Sequence, residues 1–446
     1  MKRYLFSEIA AACGGQYFGD PALLDQAVES VVIDSKQARP GSLFVAIIGE
    51  KRDAHAFIPD ARANGASLVV SDRKLDEEPY LLVQDTLRAL HQIAARYREK
   101  FTIPVIGLTG SAGKTSTKDM VAAALGARFC VMKTQGNLNN ETGAALTVFS
   151  LEERHEAAVV EMGTNHFGEI GRIAAFVQPD ICLFTNVGYA HIENFGSLEG
   201  TFRGKTEMLE FMRPGGRVVA NGDDDLLRQI PNALLYGLGE HCAVRGIEVN
   251  DLLLDGMAFT AQYRGETCRM LVPALGLHSV YNALAAVSAG LLLGMDLSDI
   301  AQGIATYKPL PGRMNVYKHT RYTVIDDTYN ANPTSAKASL DVLAKCAGRR
   351  VCILGDMLEL GQASADLHEE IGRYAAQKGV ELLCVGPMSE HMARGAAAVA
   401  PLCTQSFATQ DELLAALPEL LQDGDTILVK ASRGMKLEQT VQFLLK

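Results

Sequence analysis

Val105-Ile106-Gly107-Leu108-Thr109-Gly110-Ser111-Ala112-Gly113-Lys114-Thr115-Ser116 sets the fold class of this 446-residue chain. The first four residues read as a buried strand, and the apolar-periodic text from Lys114 onward reads as a helix. Thr109 to Thr115 is then a glycine-bearing turn from strand into helix, where backbone N–H groups and the helix dipole together attract a phosphate. Gly110 and Gly113 let the backbone bend around an anion; Lys114 can set its ammonium against terminal phosphates, and Thr115 can offer a hydroxyl to Mg²⁺. The spacing is a short T-G-x-x-G-K-T form, because Leu108 stands where the first glycine of G-x-x-x-x-G-K-[ST] would be. A generic Gly-rich turn is the plain alternative; the preceding strand, the Lys-Thr pair and the following helix count against it. The loop predicts a nucleotide site and leaves the reaction open.

On both sides of this loop, strand-like and helical stretches alternate. Residues 31–33, 43–46 and 67–70 read as strands, 58–64 and 86–100 as helices, and a first boundary falls near 83–87. The short apolar runs 157–161 and 181–185 suit a buried parallel sheet, and 281–297 reads as a buried helix. Pro309-Leu310-Pro311-Gly312 is a stiff turn, after which the alternation restarts at 322–325, 351–354, 381–385 and 426–429. The expectation is an α/β chain of three domains: an N-terminal unit over 1–84, a central P-loop domain with a parallel sheet over 85–312, and a C-terminal Rossmann-like domain over 313–446.

Composition narrows the class. A chain of this length exceeds one hydrophobic core. The hydrophobic fraction is 48%, yet the longest apolar stretch carries Asn282 and Ser288 and is too short and too polar to span a bilayer. The opening residues lack the apolar core of an export signal, which predicts a cytoplasmic protein without membrane insertion. A net charge of −10 counts against nucleic acid as a partner. Nine scattered cysteines, with no C-x-x-C pair and no zinc-like spacing, predict reduced and mostly buried thiols.

Glu161 ends one apolar run and His191 follows another, at the strand ends where ligands gather in open α/β sheets. Thr115 and Glu161 suit a Mg²⁺ bridging two phosphates; taken alone, Glu161 could instead cap a helix and His191 could be an ordinary buried histidine. Lys205, read as opening a helix, would by composition alone be a solvated surface group.

Further motifs occur in a fixed order: Asp34-Ser35-Lys36, Gly136-Asn137-Leu138-Asn139-Asn140-Glu141, Glu161-Met162-Gly163, Thr185-Asn186-Val187-Gly188-Tyr189-Ala190-His191, Gly196-Ser197-Leu198-Glu199-Gly200 through Lys205, Pro311-Gly312-Arg313, and Asp326-Asp327-Thr328-Tyr329-Asn330-Ala331-Asn332-Pro333. Taken together over nearly the whole chain, these segments resemble the Mur ligases. The Tyr-Asn-Ala-Asn-Pro, Asn-Leu-Asn-Asn-Glu and Gly-Ser-Leu-Glu-Gly stretches resemble the branch that adds D-alanyl-D-alanine to UDP-N-acetylmuramoyl tripeptide. The resemblance implies an ATP-dependent amide ligase working through an acyl phosphate, with two Mg²⁺ ions. It implies ATP contacts at Thr109, Gly110, Ser111, Ala112, Gly113, Lys114, Thr115, Ser116, Asn282, Arg313, Asp327 and Tyr329, and substrate contacts at Ser35, Lys36, Asn137, Asn140, Asn330 and Asn332. Metal would be held by Thr115, Glu161, His191 and a carbamylated Lys205, and catalysis would involve Lys114, His191, Lys205 and Arg313. Lys36 departs from the family, which more often has arginine there; an ammonium lacks the planar fork of a guanidinium. The chain is expected to be a monomer. A folylpolyglutamate-synthase-like ligase, a sister ligase adding a single amino acid, and a P-loop ATPase switch are the competing readings.

Overall fold

The structure is a computed structural model and describes residues 1–49, 52–188, 192–400 and 404–446. Three sheets fall into two compact units: 1–245 with 262–266 and 282–303, and 246–261 with 267–281 and 304–446.

The first unit holds two sheets. The N-terminal one has the order Gln16–Phe18, Tyr80–Leu82, Ala66–Ser71, Ser42–Val45, Ser30–Val32; its first pair is antiparallel and the others are parallel. In the second sheet, Arg217–Asn221, Ile181–Phe184, Val105–Thr109, Ala157–Glu161 and Val131–Lys133 lie side by side and all parallel. Every residue of Val105–Thr109, Ala157–Glu161 and Ile181–Phe184 is buried, as expected of strands covered on both faces. The sheet continues in parallel beyond Arg217–Asn221 through Leu234–Gly237 to Val244 and Arg245.

The helix Thr86–Arg98 joins the two sheets. The Asp85 carboxylate accepts from Arg88 N at its start, and Ala89, Leu90, Ile93, Ala94 and Tyr97 form its buried stripe at helical spacing. The Tyr4 hydroxyl donates to Ile93 O on one side, and the Tyr97 hydroxyl donates to Leu151 O on the other. A continuous core runs from Tyr4, Phe6 and Ile9 through this helix to Val105, Val160 and Phe184. Arg98, 0% exposed, donates to Val177 O and Phe101 O and pairs with Asp180 at 3.1 Å. Composition offered no sign that this arginine is internal.

The sheet of the second unit has the order Asn315–Lys318, Thr323–Asp327, Thr426–Lys430, Arg350–Gly355, Glu381–Val385, Thr404–Phe407, parallel except for its first pair. Its two faces are covered by separate apolar clusters, around Leu340 and Ile371 on one and Leu413 and Val441 on the other.

Several expectations need correction. The helix placed at 86–100 ends at Arg98, and the one placed at 281–297 is Leu277–Leu292, followed after Gly294 (φ 75°) by a second helix, Leu297–Ala305. Lys205 does not open a helix: it lies in the last turn of Leu198–Thr206 and is 3% exposed. The eight described cysteines are free; Cys182, Cys242, Cys346, Cys352 and Cys384 are buried, Cys130 is exposed, and Cys403 lies outside the described residues.

Candidate nucleotide and metal site

Register places the phosphate loop. Leu108 pairs with Glu161 and Thr109 with Phe184, so the turn after Thr109 emerges between Glu161 and the segment that follows Phe184. Gly110 passes so close to Thr185 that a Cβ there would lie 1.8 Å from its hydroxyl oxygen. Gly113 takes φ 76°, a conformation glycine adopts freely, and ends the loop at the first turn of the helix Lys114–Leu125. Lys114 Nζ arches back to donate to Gly110 O at 2.9 Å.

Asn186, absent from the sequence-derived site, clamps the loop. Its Oδ1 accepts from Ala112 N at 2.8 Å, its Nδ2 donates to Ala112 O at 3.0 Å, and its backbone carbonyl accepts from Ser111 N at 3.0 Å. The Thr185 hydroxyl adds a second donor to Ala112 O, and Gly188 N donates to Ser111 Oγ. Ser111 and Ala112 thus direct their N–H groups at Asn186, so the helix's first turn is the part of the loop placed to meet a phosphate. The quoted Thr185-Asn186 pair was the available signal in the sequence, but only folding sets it against residue 112.

Glu161 is 1% exposed. Its Oε1 accepts from the Thr115 hydroxyl at 3.1 Å and from Asn139 Nδ2 at 2.8 Å, and its backbone N–H donates to Thr134 Oγ1. Its Oε2 is buried and makes no hydrogen bond among the described residues; Lys118 Nζ stands 3.9 Å away, itself buried. Burial lowers the pKa of that lysine. Glu161 caps no helix, since Gly168 occupies the N-cap of the next one, Glu169–Val177. A buried carboxylate oxygen without a hydrogen bond, beside a threonine hydroxyl at a helix N-terminus, is a hard-oxygen donor set that fits Mg²⁺.

The Lys205 ammonium makes no hydrogen bond or ion pair with another described residue, and burial, reinforced by Lys114, pushes its pKa down to about 7. His191 lies outside the described residues. Asn282 stands at the base of the loop, where its Oδ1 accepts from Thr117 Oγ1 at 2.9 Å and a Cβ on Gly113 would approach within 3.3 Å. Asn140 accepts from Gly143 N and so caps the helix Glu141–Phe149, while Asn137 is exposed. In the N-terminal sheet region Asp34 caps a short turn over Ser35–Gln37; Ser35 is buried and Lys36 exposed.

The remaining residues lie in the second unit. The Arg313 guanidinium stacks 4.1 Å from the Tyr329 ring centroid, and Arg433 stands 5.7 Å from the same ring. Asp327 pairs with Lys430 and accepts from Ser339 Oγ at 2.7 Å, while Lys430 also donates to Asn330 O. Asn332 caps the helix Pro333–Ala344. Lys430 opens a segment, Lys430 to Met435, that also resembles the family, but neither it nor Ser339 was given a role from sequence, because a lysine and a serine carry no local mark of their partners.

A strand–loop–helix phosphate cradle at the carboxyl edge of a parallel sheet, with a threonine and a buried carboxylate beside it, defines an α/β enzyme that uses a nucleotide triphosphate. Sequence profiles narrow this. The Mur ligase middle domain matches residues 108–290, the Mur ligase glutamate ligase domain 312–433, and the Mur ligase family catalytic domain 27–98. The UDP-N-acetylmuramoyl-tripeptide--D-alanyl-D-alanine ligase of Bacillus subtilis is 35% identical, covering 96% of this chain and 95% of that one; the Escherichia coli ligase of the same name is 35% identical with 94% of each covered. A crystal structure of MurF from Acinetobacter baumannii superposes with a TM-score of 0.93 at 32% identity, over 100% of this chain and 99% of that chain. MurF from Thermotoga maritima in complex with ADP gives 0.83 at 27% identity, over 93% and 96%. The chain belongs to the Mur ligase family and is an ATP-dependent ligase.

Proposed function

We propose that this ligase joins D-alanyl-D-alanine to UDP-N-acetylmuramoyl tripeptide in peptidoglycan precursor synthesis, and through it serves cell wall biogenesis, cell shape and division. Similarity to ligases of that name over almost the full length of both chains carries this reading. The phosphate loop beside Glu161 supplies the chemistry: ATP activates the terminal carboxylate of the tripeptide as an acyl phosphate, and the dipeptide amine displaces the phosphate, forming the C–N bond.

Two anions must meet for the first step, so cations have to offset their repulsion. Lys114 serves the β- and γ-phosphates and Arg313 the γ-phosphate side. Asn282 is assigned to the adenine and Asp327 to the ribose; Tyr329, Asn330 and Asn332 shape the nucleotide and acceptor region. Thr115 and Glu161 would hold Mg²⁺, which supplies charge neutralisation on the phosphates. A second ion would take His191 and Lys205 after carbamylation. A buried amine without an acidic partner among the described residues, whose ammonium is destabilised by burial, fits that modification, because only a neutral amine adds carbon dioxide. Ser35, Lys36, Asn137 and Asn140 are assigned to the UDP-tripeptide. The division into 1–84, 85–312 and 313–446 assigns these tasks to three domains, in a cytoplasmic monomer.

Phosphate release from ATP, followed with UDP-N-acetylmuramoyl tripeptide present and D-alanyl-D-alanine added last, tests the reaction. Release should depend on the dipeptide, and release indifferent to it would sink the proposal. Tripeptides ending in meso-diaminopimelate and in L-lysine, run side by side, identify the acceptor. Lys205→Ala should abolish turnover and recover part of it with added short-chain carboxylates; full turnover without them would remove the carbamate from the mechanism.

A further inference from the structure

Away from the phosphate loop, Asp223, His241 and Cys242 bring one carboxylate oxygen, one imidazole nitrogen and one thiol sulfur within 4.8 Å of one another. They come from two strand ends. Asp223 follows Arg217–Asn221, and His241 and Cys242 belong to the turn after Leu234–Gly237, closed by Cys242 N donating to Gly239 O. We propose that this cluster is a binding site for a thiophilic divalent transition metal, Zn²⁺ in the first instance, clipping the two strand ends together.

Three observations carry the proposal. First, the spacing fits. His241 Nε2 lies 3.7 Å and Cys242 Sγ 3.8 Å from Asp223 Oδ1. Tetrahedral zinc with ordinary Zn–N, Zn–O and Zn–S bonds separates such atoms by about 3.3–3.6 Å, so both distances to Asp223 lie within a few tenths of an ångström of that geometry, and the imidazole and the thiol stand within 4.8 Å of each other.

Second, the backbone around the cluster is cut to admit the side chains. A Cβ on Gly222 would lie 2.6 Å from Cys242 Sγ, one on Gly237 2.6 Å from Asp223 Oδ2, and one on Gly239 2.4 Å from His241 Cε1. Third, the carboxylate is held in place from behind: Leu238 N donates to Oδ2 at 2.6 Å and Gly239 N to Oδ1 at 3.1 Å, as outer partners orient a metal ligand.

A thiolate with an imidazole selects zinc or cobalt over the hard cations that the Thr115 and Glu161 oxygens suit. Binding forms a metal–sulfur bond as the Cys242 S–H proton leaves to solvent, and His241 Nε2 gives up its 2.8 Å contact with Gly222 O for the metal. The next residue, Asp224, accepts from Val187 N at 2.7 Å, and the neighbouring Gly188 bonds Ser111, so the clip sits one residue from the support of the phosphate loop.

Cobalt distinguishes this site from the nucleotide site, whose described ligands are oxygens. The chelator-stripped protein, given one equivalent of Co²⁺, should develop a thiolate-to-cobalt charge-transfer band that Zn²⁺ abolishes. Cys242→Ser should remove the band, His241→Gln should weaken binding ~10-fold or more, and Cys130→Ser, at an exposed cysteine, should change nothing. A band that survives Cys242→Ser, or no thiolate band in the unaltered protein, overturns the proposal. If Cys242→Ser fails to fold, His241→Gln decides alone, and cobalt affinity unchanged in that variant overturns it equally.

Discussion

Glu161 shows how one residue acquires a role from its partners. Its Oε1 is fixed by Thr115 and Asn139, while Oε2 is buried without a hydrogen bond among the described residues and has the Lys118 ammonium only at 3.9 Å, an arrangement that costs free energy unless a closer cation or donor satisfies it. Asn139 is therefore a positioning residue for the proposed Mg²⁺ ligand. Asn139→Ala should raise the Mg²⁺ concentration for half-maximal activity about 10-fold or more, with a smaller effect on the KM of D-alanyl-D-alanine. Titrating Mg²⁺ at saturating substrates reads this directly, and an unchanged metal dependence would remove Asn139 from the site.

At the scale of the element, the loop from Thr109 to the helix Lys114–Leu125 keeps its shape through contacts with its neighbour, the turn after Ile181–Phe184. Asn186 makes two side-chain bonds to Ala112, each worth about 1 kcal/mol net. Asn186→Ala should weaken ATP binding roughly 10-fold with little change in overall stability, measurable by calorimetric titration against thermal unfolding. The helix Thr86–Arg98 carries a second element-scale prediction. Removing the Arg98 guanidinium strands two buried carbonyls and takes from the partly exposed Asp180 its 3.1 Å ion pair, leaving it Val105 N and Arg213 at 4.0 Å. Arg98→Ala should cost about 3 kcal/mol, and denaturant unfolding that shifted by less than 1 kcal/mol would place that arginine among ornamental contacts.

For the whole molecule, the continuous core of the first unit makes its N-terminal and central sheets one cooperative body. Ile9, fully buried on the N-terminal side, belongs to the same cluster as Val105 and Val160. Ile9→Ala should destabilise by about 2–5 kcal/mol and accelerate hydrogen exchange of the Val105–Thr109 amides to the same degree. Exchange confined to the N-terminal sheet would mean that the two sheets unfold separately.

The sequence by itself determined what depends on neighbours in the chain. The short T-G-x-x-G-K-T turn and the apolar runs that became buried parallel strands were legible from local spacing, because helix, strand and turn chemistry act over a few residues. Motif order along the chain was enough to reach the ligase family. Only the tertiary structure decided that Lys205 is buried in a last turn, that Arg98 is internal, that Asn186 takes the N–H groups of Ser111 and Ala112, and that Asp223 meets His241 and Cys242. Each of these pairs residues distant in sequence or buries a charge that composition places in water, and the register between strands, which a local pattern does not encode, brings them together.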